Sequence, residues 1–206
     1  MVEQNLITAF LLASLKRYPD SLWGVEVPFA GAPQQKPASA RPPVNNQPSK
    51  LSEKDVLGEP WKNHIDAFIY LNETLYFIEA KRDYPAETFL QHIKADYERI
   101  KSPELAVSFR LMMNRSGVYR EPFGAIKQVK GILLADTWRP NNLKLWTNGY
   151  YKAAGQKQAS DLSWLKSLER DSHPLDFKSG ASESYSLLIA QTADLERSRK
   201  IINNEL

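Results

Sequence analysis

The sequence predicts an α/β fold, and three observations point to it. Helix-like and strand-like patterns alternate along the 206 residues. Residues 64–71 and 74–82 are two runs rich in β-branched and aromatic residues, separated only by the turn-type pair Asn72-Glu73, which is the pattern of an antiparallel hairpin. Val129 to Asp136 is a continuous apolar run, as in a strand covered on both faces. With 42% hydrophobic residues the chain is long enough for one well-formed core and short for two, so a single domain over 1–206 is expected.

The elements follow in order. Residues 2–17 read as a helix whose apolar stretch, Leu6 to Leu15, is too short to span a bilayer. Glu3 precedes that stretch and Lys16-Arg17 follow it, so it is a core helix and not a signal segment. Leu22 to Phe29 is strand-like. Gly31 to Lys50 then holds Pro33, Pro37, Pro42, Pro43 and Pro48 among Gln, Asn and Ser, and is expected to be a flexible loop inserted between strands. After the hairpin, Asp83-Tyr84-Pro85-Ala86-Glu87 carries a helix start, and Phe89, Ile93, Tyr97 and Ile100 recur at helical spacing as one apolar stripe.

Leu105 to Met113 reads as either helix or strand, because Val107 to Leu111 also alternates. Tyr185 to Ala190 is a further strand candidate. Between it and the 129–136 run lie Trp138, Trp146, Tyr150, Tyr151 and Trp164 among Lys and Asn. Such stretches can stack bases, although isolated tryptophans are more often core residues. The coarse order is helix, strand, long loop, strand, strand, helix, strand, helical region, strand.

Cysteine is absent, so there is no disulfide framework or thiolate metal site, which suits a reducing cytoplasm. No other stretch is a membrane-span candidate. The net charge of +3 is unevenly spread: residues 1–93 carry nine Lys/Arg against eleven Asp/Glu, and residues 94–130 carry eight against four. A phosphate-handling protein can use such a split, and so can an ordinary solvated surface. No GxSxG, phosphate-binding glycine loop or HExxH motif is present, and His92 and His173 have no ligand partners at zinc spacing.

Chemistry concentrates in the hairpin. Side chains alternate along a strand, so Glu79 and Lys81 point to one face with Ala80 on the other, and His64 and Asp66 share a face of the preceding strand. Two charges inside apolar strands cost several kcal/mol to bury unless something compensates them. A divalent cation does so, and carboxylate oxygens suit Mg²⁺ or Mn²⁺, which keep several waters and take phosphate oxygens from a substrate.

These residues resemble the signature of the PD-(D/E)XK nuclease superfamily: an acid at the end of one strand, a variable gap, then Asp/Glu-x-Lys on the next. Here they are Asp66, twelve intervening residues, and Glu79-Ala80-Lys81. Ile65 stands where a proline usually precedes the acid. One branch of the superfamily carries Gln-x-x-x-Tyr on the next helix, but Ala95 stands four residues after Gln91 and Tyr97 is displaced by two, so the chain is not placed there. The resemblance covers residues 2–136 in topology and 64–101 in motif. It implies a restriction-endonuclease-like core, a mixed central β-sheet flanked by helices.

The resemblance further implies Mg²⁺- or Mn²⁺-dependent hydrolysis of phosphodiester bonds in nucleic acid, DNA foremost, in defence, repair or a mobile element. Asp66, Glu79 and the Ala80 backbone carbonyl would hold the metal, and Lys81 would orient or activate water and offset developing charge. Many members add a glutamate from the first helix; Glu3 is the only acid there, and Glu26 on the following strand competes for the role. His64, Gln91 and Lys94 are candidates for contact with nucleic acid. Duplex cutters often need two sites, which leaves a homodimer open. The alternative is a catalytically silent member acting as a nucleic-acid or protein binding module; silent members tend to lose the lysine or an acid, and this chain keeps all three. A third reading is an unrelated α/β protein with Glu79–Lys81 an exposed ion pair worth under about 1 kcal/mol.

Overall fold

Asn72 and Glu73 both adopt positive φ, 49° and 63°, as the two central residues of a type I′ turn must. That turn joins β2 (Asn63–Leu71) to β3 (Thr74–Arg82) as an antiparallel pair with Leu71 opposite Thr74. The turn is also fastened to the next strand of the sheet. The Glu73 carbonyl accepts the Lys127 and Gln128 amides, and its carboxylate lies 2.6 Å from Lys127 Nζ.

In the computed structural model the described residues are 2–29, 63–82, 86–116, 123–137, 150–151, 160–161, 169–170, 186–191 and 194–206. The expected loop at 31–50, Trp138, Trp146 and Trp164 lie outside them. Before the hairpin come α1 (Val2–Arg17) and β1 (Leu22–Phe29); after it come α2 (Ala86–Lys101), α3 (Pro103–Ser116) and β4 (Gln128–Thr137). The chain then forms β5 (Tyr150–Tyr151), β6 (Ser160–Asp161), β7 (Glu169–Arg170), β8 (Ser186–Gln191) and α4 (Glu196–Ile202). Six strands make one sheet in the order β1-β2-β3-β4-β8-β7, while β5 and β6 pair separately. Among the described residues only β3 and β4 run parallel within the main sheet, and α2 and α3 supply the crossover that a parallel pair requires. The fold is α/β with a mixed sheet, as expected.

The sheet is covered on both faces. Ile7, Phe10 and Leu11 of α1 pack on Tyr76, Ile78, Ala80, Ile132 and Leu134. On the other face, Leu75, Phe77, Val129 and Leu133 meet Ile93, Tyr97 and Ile100 of α2, Leu105 and Phe109 of α3, and Ile201 and Ile202 of α4. The period-two split along β3 thus assigns Leu75 and Phe77 to one helical layer, and Tyr76 and Ile78 to the other.

The ambiguous segment at 105–113 is helix. Ser102 and Pro103 start it: proline at the first helical position loses no bond, and the Ser102 hydroxyl bonds Glu104. A second helix therefore follows α2 directly, which the expected element order did not contain. The sequence reading also lacked α4. It is only seven residues long, with Ile201 and Ile202 in the core, and Asn203 beside it brackets the Ile126 backbone, accepting its N–H at 3.2 Å and donating to its carbonyl at 2.6 Å. Among the described residues no helix is long and apolar enough to cross a membrane.

One glycine is fixed by packing. Gly24 of β1 lies opposite Phe68, and a Cβ there would stand 2.5 Å from the Phe68 ring. Phe68 is 1% exposed and meets the Phe109 ring edge-on at 5.1 Å, so it has little room to yield. Gly24→Ala is expected to destabilise the protein by about 1–3 kcal/mol through overpacking. The check is the urea midpoint, and an unchanged midpoint would mean the ring moves aside freely.

Candidate functional site

At the C-terminal end of β3 the sheet changes character. The β2–β3 ladder stops at Ala67 and Ile78, one residue short of Asp66 and Glu79. In the β1–β2 ladder, Val25 pairs with Ala67 and Val27 with Ile65, but no pair joins Glu26 to Asp66. Glu26 itself has φ 48°, a left-handed conformation uncommon for a residue with a side chain. Ile65 packs in the α2-side core although Ala67, two residues on, packs in the α1-side core, so the alternation of β2 breaks at Asp66. Asp66 fills the gap that results. Its Oδ2 accepts the Ala80 amide at 2.7 Å, where a ladder bond would otherwise be.

On the α2 side of this gap, charged groups gather. Glu79 is 1% exposed, and its Oε1 accepts from Arg99 Nη1 at 2.7 Å. The same nitrogen donates to Asp96 Oδ1 at 2.9 Å. Asp96 is itself 1% exposed, and its second oxygen, Oδ2, is buried with no hydrogen bond. Lys81 Nζ lies 3.4 Å from that oxygen, at ion-pair range but too poorly aligned for a hydrogen bond, and 3.8 Å from Glu3 Oε1.

Glu79 and Lys81 therefore share a face, both turned toward α2. Glu3 reaches the cluster from the start of α1. Glu26 is exposed, with Oε1 3.3 Å from Gln4 Nε2, and no described ion pair joins it to the cluster. His64 is half-buried on β2 opposite Pro28, and Lys94 is exposed on α2. The side chain of Gln91 lies outside the described residues. Ala80 enters through its amide, bonded to Asp66, while its methyl is buried in the opposite core.

Asp96 and Arg99 were absent from the residues singled out in the sequence, yet Asp96 left a signal there. It falls three residues after Ile93 in the buried stripe Ile93, Asp96, Tyr97, Ile100, where an apolar residue belongs. A carboxylate in such a place needs a partner, and Arg99 three residues on supplies it from the next turn.

The electrostatics follow from burial. Loss of solvent pushes Glu79 well above the ordinary 4.5, the neighbouring Asp66 and Asp96 charges push it further, and Arg99 pulls it back only in part. Burial likewise raises Asp96, against Lys81 and Arg99. Burial works to lower Lys81, but Asp96, Glu3 and Asp66 outweigh it and the ammonium is raised above 10.5. Lys81 is thus a fixed cation at neutral pH. It can hold water or phosphate oxygens and offset negative charge, but it is not a base that takes a proton there.

Among the described residues no three of His, Cys, Asp and Glu are arranged to hold a metal ion. Two carboxylates do converge: Glu79 and Asp96 both reach a single cationic nitrogen, and Asp96 keeps one buried oxygen unbonded. That donor set fits a hard divalent cation, which can bind through one or two carboxylates and keep water or phosphate oxygens for the rest of its shell. Comparison with protein-family models, with curated proteins and with solved structures finds no match to the chain.

The raised Glu79 pKa has a stability consequence. The folded state favours the protonated carboxyl, so its contribution is fully present below 4.5 and is lost as pH rises through the raised value. Asp96 acts in the same direction. Without added divalent cation, the urea midpoint of the wild type is expected to fall relative to that of Glu79→Gln as pH rises above 4.5. Parallel pH profiles for the two proteins would contradict the buried, charge-crowded environment.

Proposed function

We infer that the chain is a divalent-cation-dependent nuclease of restriction-endonuclease-like fold, hydrolysing phosphodiester bonds with DNA as the favoured substrate. The observation that carries this reading is the meeting of Asp66, Glu79 and Lys81 with Glu3 and Asp96 at one end of a mixed sheet. An ordinary solvated hairpin has no need to bury Glu79, and the exposed ion-pair reading does not account for it.

The chain's residues divide the work. Glu79 and Asp96 present oxygens toward one point, and Asp66 adds negative charge beside them while holding the Ala80 amide. A bound Mg²⁺ or Mn²⁺ would supply a water of lowered pKa and charge stabilisation at the phosphate. Lys81, a cation among these carboxylates, holds the attacking water or a non-bridging phosphate oxygen in place and offsets charge that builds in the transition state. Burial makes that attraction stronger than it would be in water. A chain without cysteine suits the reducing cytoplasm in which DNA cleavage for defence, repair or transposition takes place.

The test is cleavage of supercoiled plasmid, linear duplex, single-stranded DNA and RNA with each metal, alongside calorimetric metal titration. Lys81→Ala is expected to lose about 10²-fold or more in cleavage while retaining Mn²⁺ binding. Asp66→Asn, which keeps an acceptor for the Ala80 amide, is expected to weaken both. A wild-type protein that binds no divalent metal and cuts none of these substrates would replace the nuclease with a silent binding module of the same fold.

A further inference from the structure

We propose that Arg99 is a built-in occupant of the cation position, its Nη1 standing between Glu79 and Asp96, so that Asp96 is a cation ligand contributed by α2 and Arg99 must withdraw before a divalent cation binds. The inference rests on the cation-dependent reading of the same site.

One nitrogen 2.7 Å from a Glu79 oxygen and 2.9 Å from an Asp96 oxygen marks a point where two carboxylates from different elements meet. Asp66, the strand acid expected beside Glu79, spends one oxygen on the Ala80 amide. The unbonded Oδ2 of Asp96 is the second observation. It is buried, with a side chain 2% exposed, and its described cation is Lys81 Nζ at 3.4 Å, an ion pair that makes no hydrogen bond and leaves the oxygen's lone pairs open to a metal ion. Four carboxylates, Glu3, Asp66, Glu79 and Asp96, surround two cationic groups, Lys81 and Arg99, among the described side chains of the cluster. That set is formally −2, and a divalent cation in place of the withdrawn Arg99 brings it to −1, closer to balance than the single positive charge it replaces.

Arg99 can leave and Glu79 cannot. The Arg99 side chain is 31% exposed against 1% for Glu79, and a long arginine on a helix can swing its head into solvent while its stem stays packed. While Arg99 is in place the site is closed to metal, and apparent affinity is reduced by the fraction of molecules with Arg99 withdrawn. A phosphate is a natural partner for the released guanidinium, so nucleic acid and cation would favour the same open arrangement.

The experiment is Mn²⁺ titration by calorimetry on the full chain without nucleic acid, comparing wild type, Arg99→Gln, Arg99→Lys and Asp96→Asn/Arg99→Gln, with folding checked by circular dichroism. Arg99→Gln is expected to bind Mn²⁺ about tenfold or more tightly than wild type, and the double variant to lose that gain. Mn²⁺ binding by Arg99→Gln that is no tighter than that of wild type overturns the competition and leaves the nuclease reading standing. Absence of binding in every protein removes the cation site, and both readings with it. Should Arg99→Gln fail to fold, Arg99→Lys decides: its shorter ammonium cannot bridge both carboxylates as well, so tighter Mn²⁺ binding than wild type supports the proposal and unchanged binding overturns it.

Discussion

The burial of the Glu79 carboxylate is the constraint around which this end of the molecule is organised. β3 is the strand that joins the hairpin to the parallel pair, and both of its faces are covered by helices. A carboxylate placed there has no access to water, so its compensation must come from the protein. Arg99 bonds it directly, and Arg99 is itself held by Asp96 on the same helix. Asp96 in turn draws Lys81, which also approaches Glu3. The buried charges in this chain of contacts are the Glu79 and Asp96 carboxylates, and the more exposed Arg99 and Lys81 compensate them. Removing one partner of such a pair typically costs about 3–5 kcal/mol, whereas an exposed pair would matter little.

That network has a geometrical price at the neighbouring strand. β2 leaves the β3 ladder at Asp66, its alternation breaks, and Glu26 on β1 adopts a left-handed backbone beside the break. The Asp66 carboxylate then takes over the Ala80 amide. Backbone irregularity of this sort persists where the surroundings over-determine it and is concentrated at functional sites. A regular pairing of Asp66 with Glu79 would have closed the space between the strands. The opening lets two acids and a lysine converge without a large loop.

Much of this was readable in the residues. The β-branched and aromatic runs around Asn72-Glu73 gave the hairpin with its turn, because strand propensity and turn chemistry agree there. The 2–17 helix and the buried strand at Val129 to Asp136 were equally plain, since their apolar patterns match one period each. The shared face of Glu79 and Lys81 followed from period two alone. Other features depend on tertiary contact. Leu105 to Met113 alternates well enough to pass for a strand, and only its packing of Leu105, Ala106 and Phe109 against the sheet decides for helix. α4 is too short to show a helical period: only Ile201 and Ile202 reach the core, and Asn203 and Arg110, which bonds the Ile201 carbonyl, hold its end. In the cluster, Asp66, Glu79 and Lys81 stand out on the two strands of the hairpin, while Glu3 was named, beside Glu26, only through the family resemblance. Asp96 could have been named from its intrusion into the Ile93–Tyr97–Ile100 stripe, but Arg99 looks like any helix-surface base until its partners are known.

The central claim is that the point now held by Arg99 Nη1 is a divalent-cation position. It is tested most directly by the anomalous signal of crystals grown with Mn²⁺. The expected result is one Mn²⁺ bound by carboxylate oxygens of both Glu79 and Asp96 at about 2.0–2.3 Å, with the Arg99 guanidinium turned away toward solvent. Crystals saturated with Mn²⁺ that show no ion there, and Arg99 still bridging the two carboxylates, would contradict it.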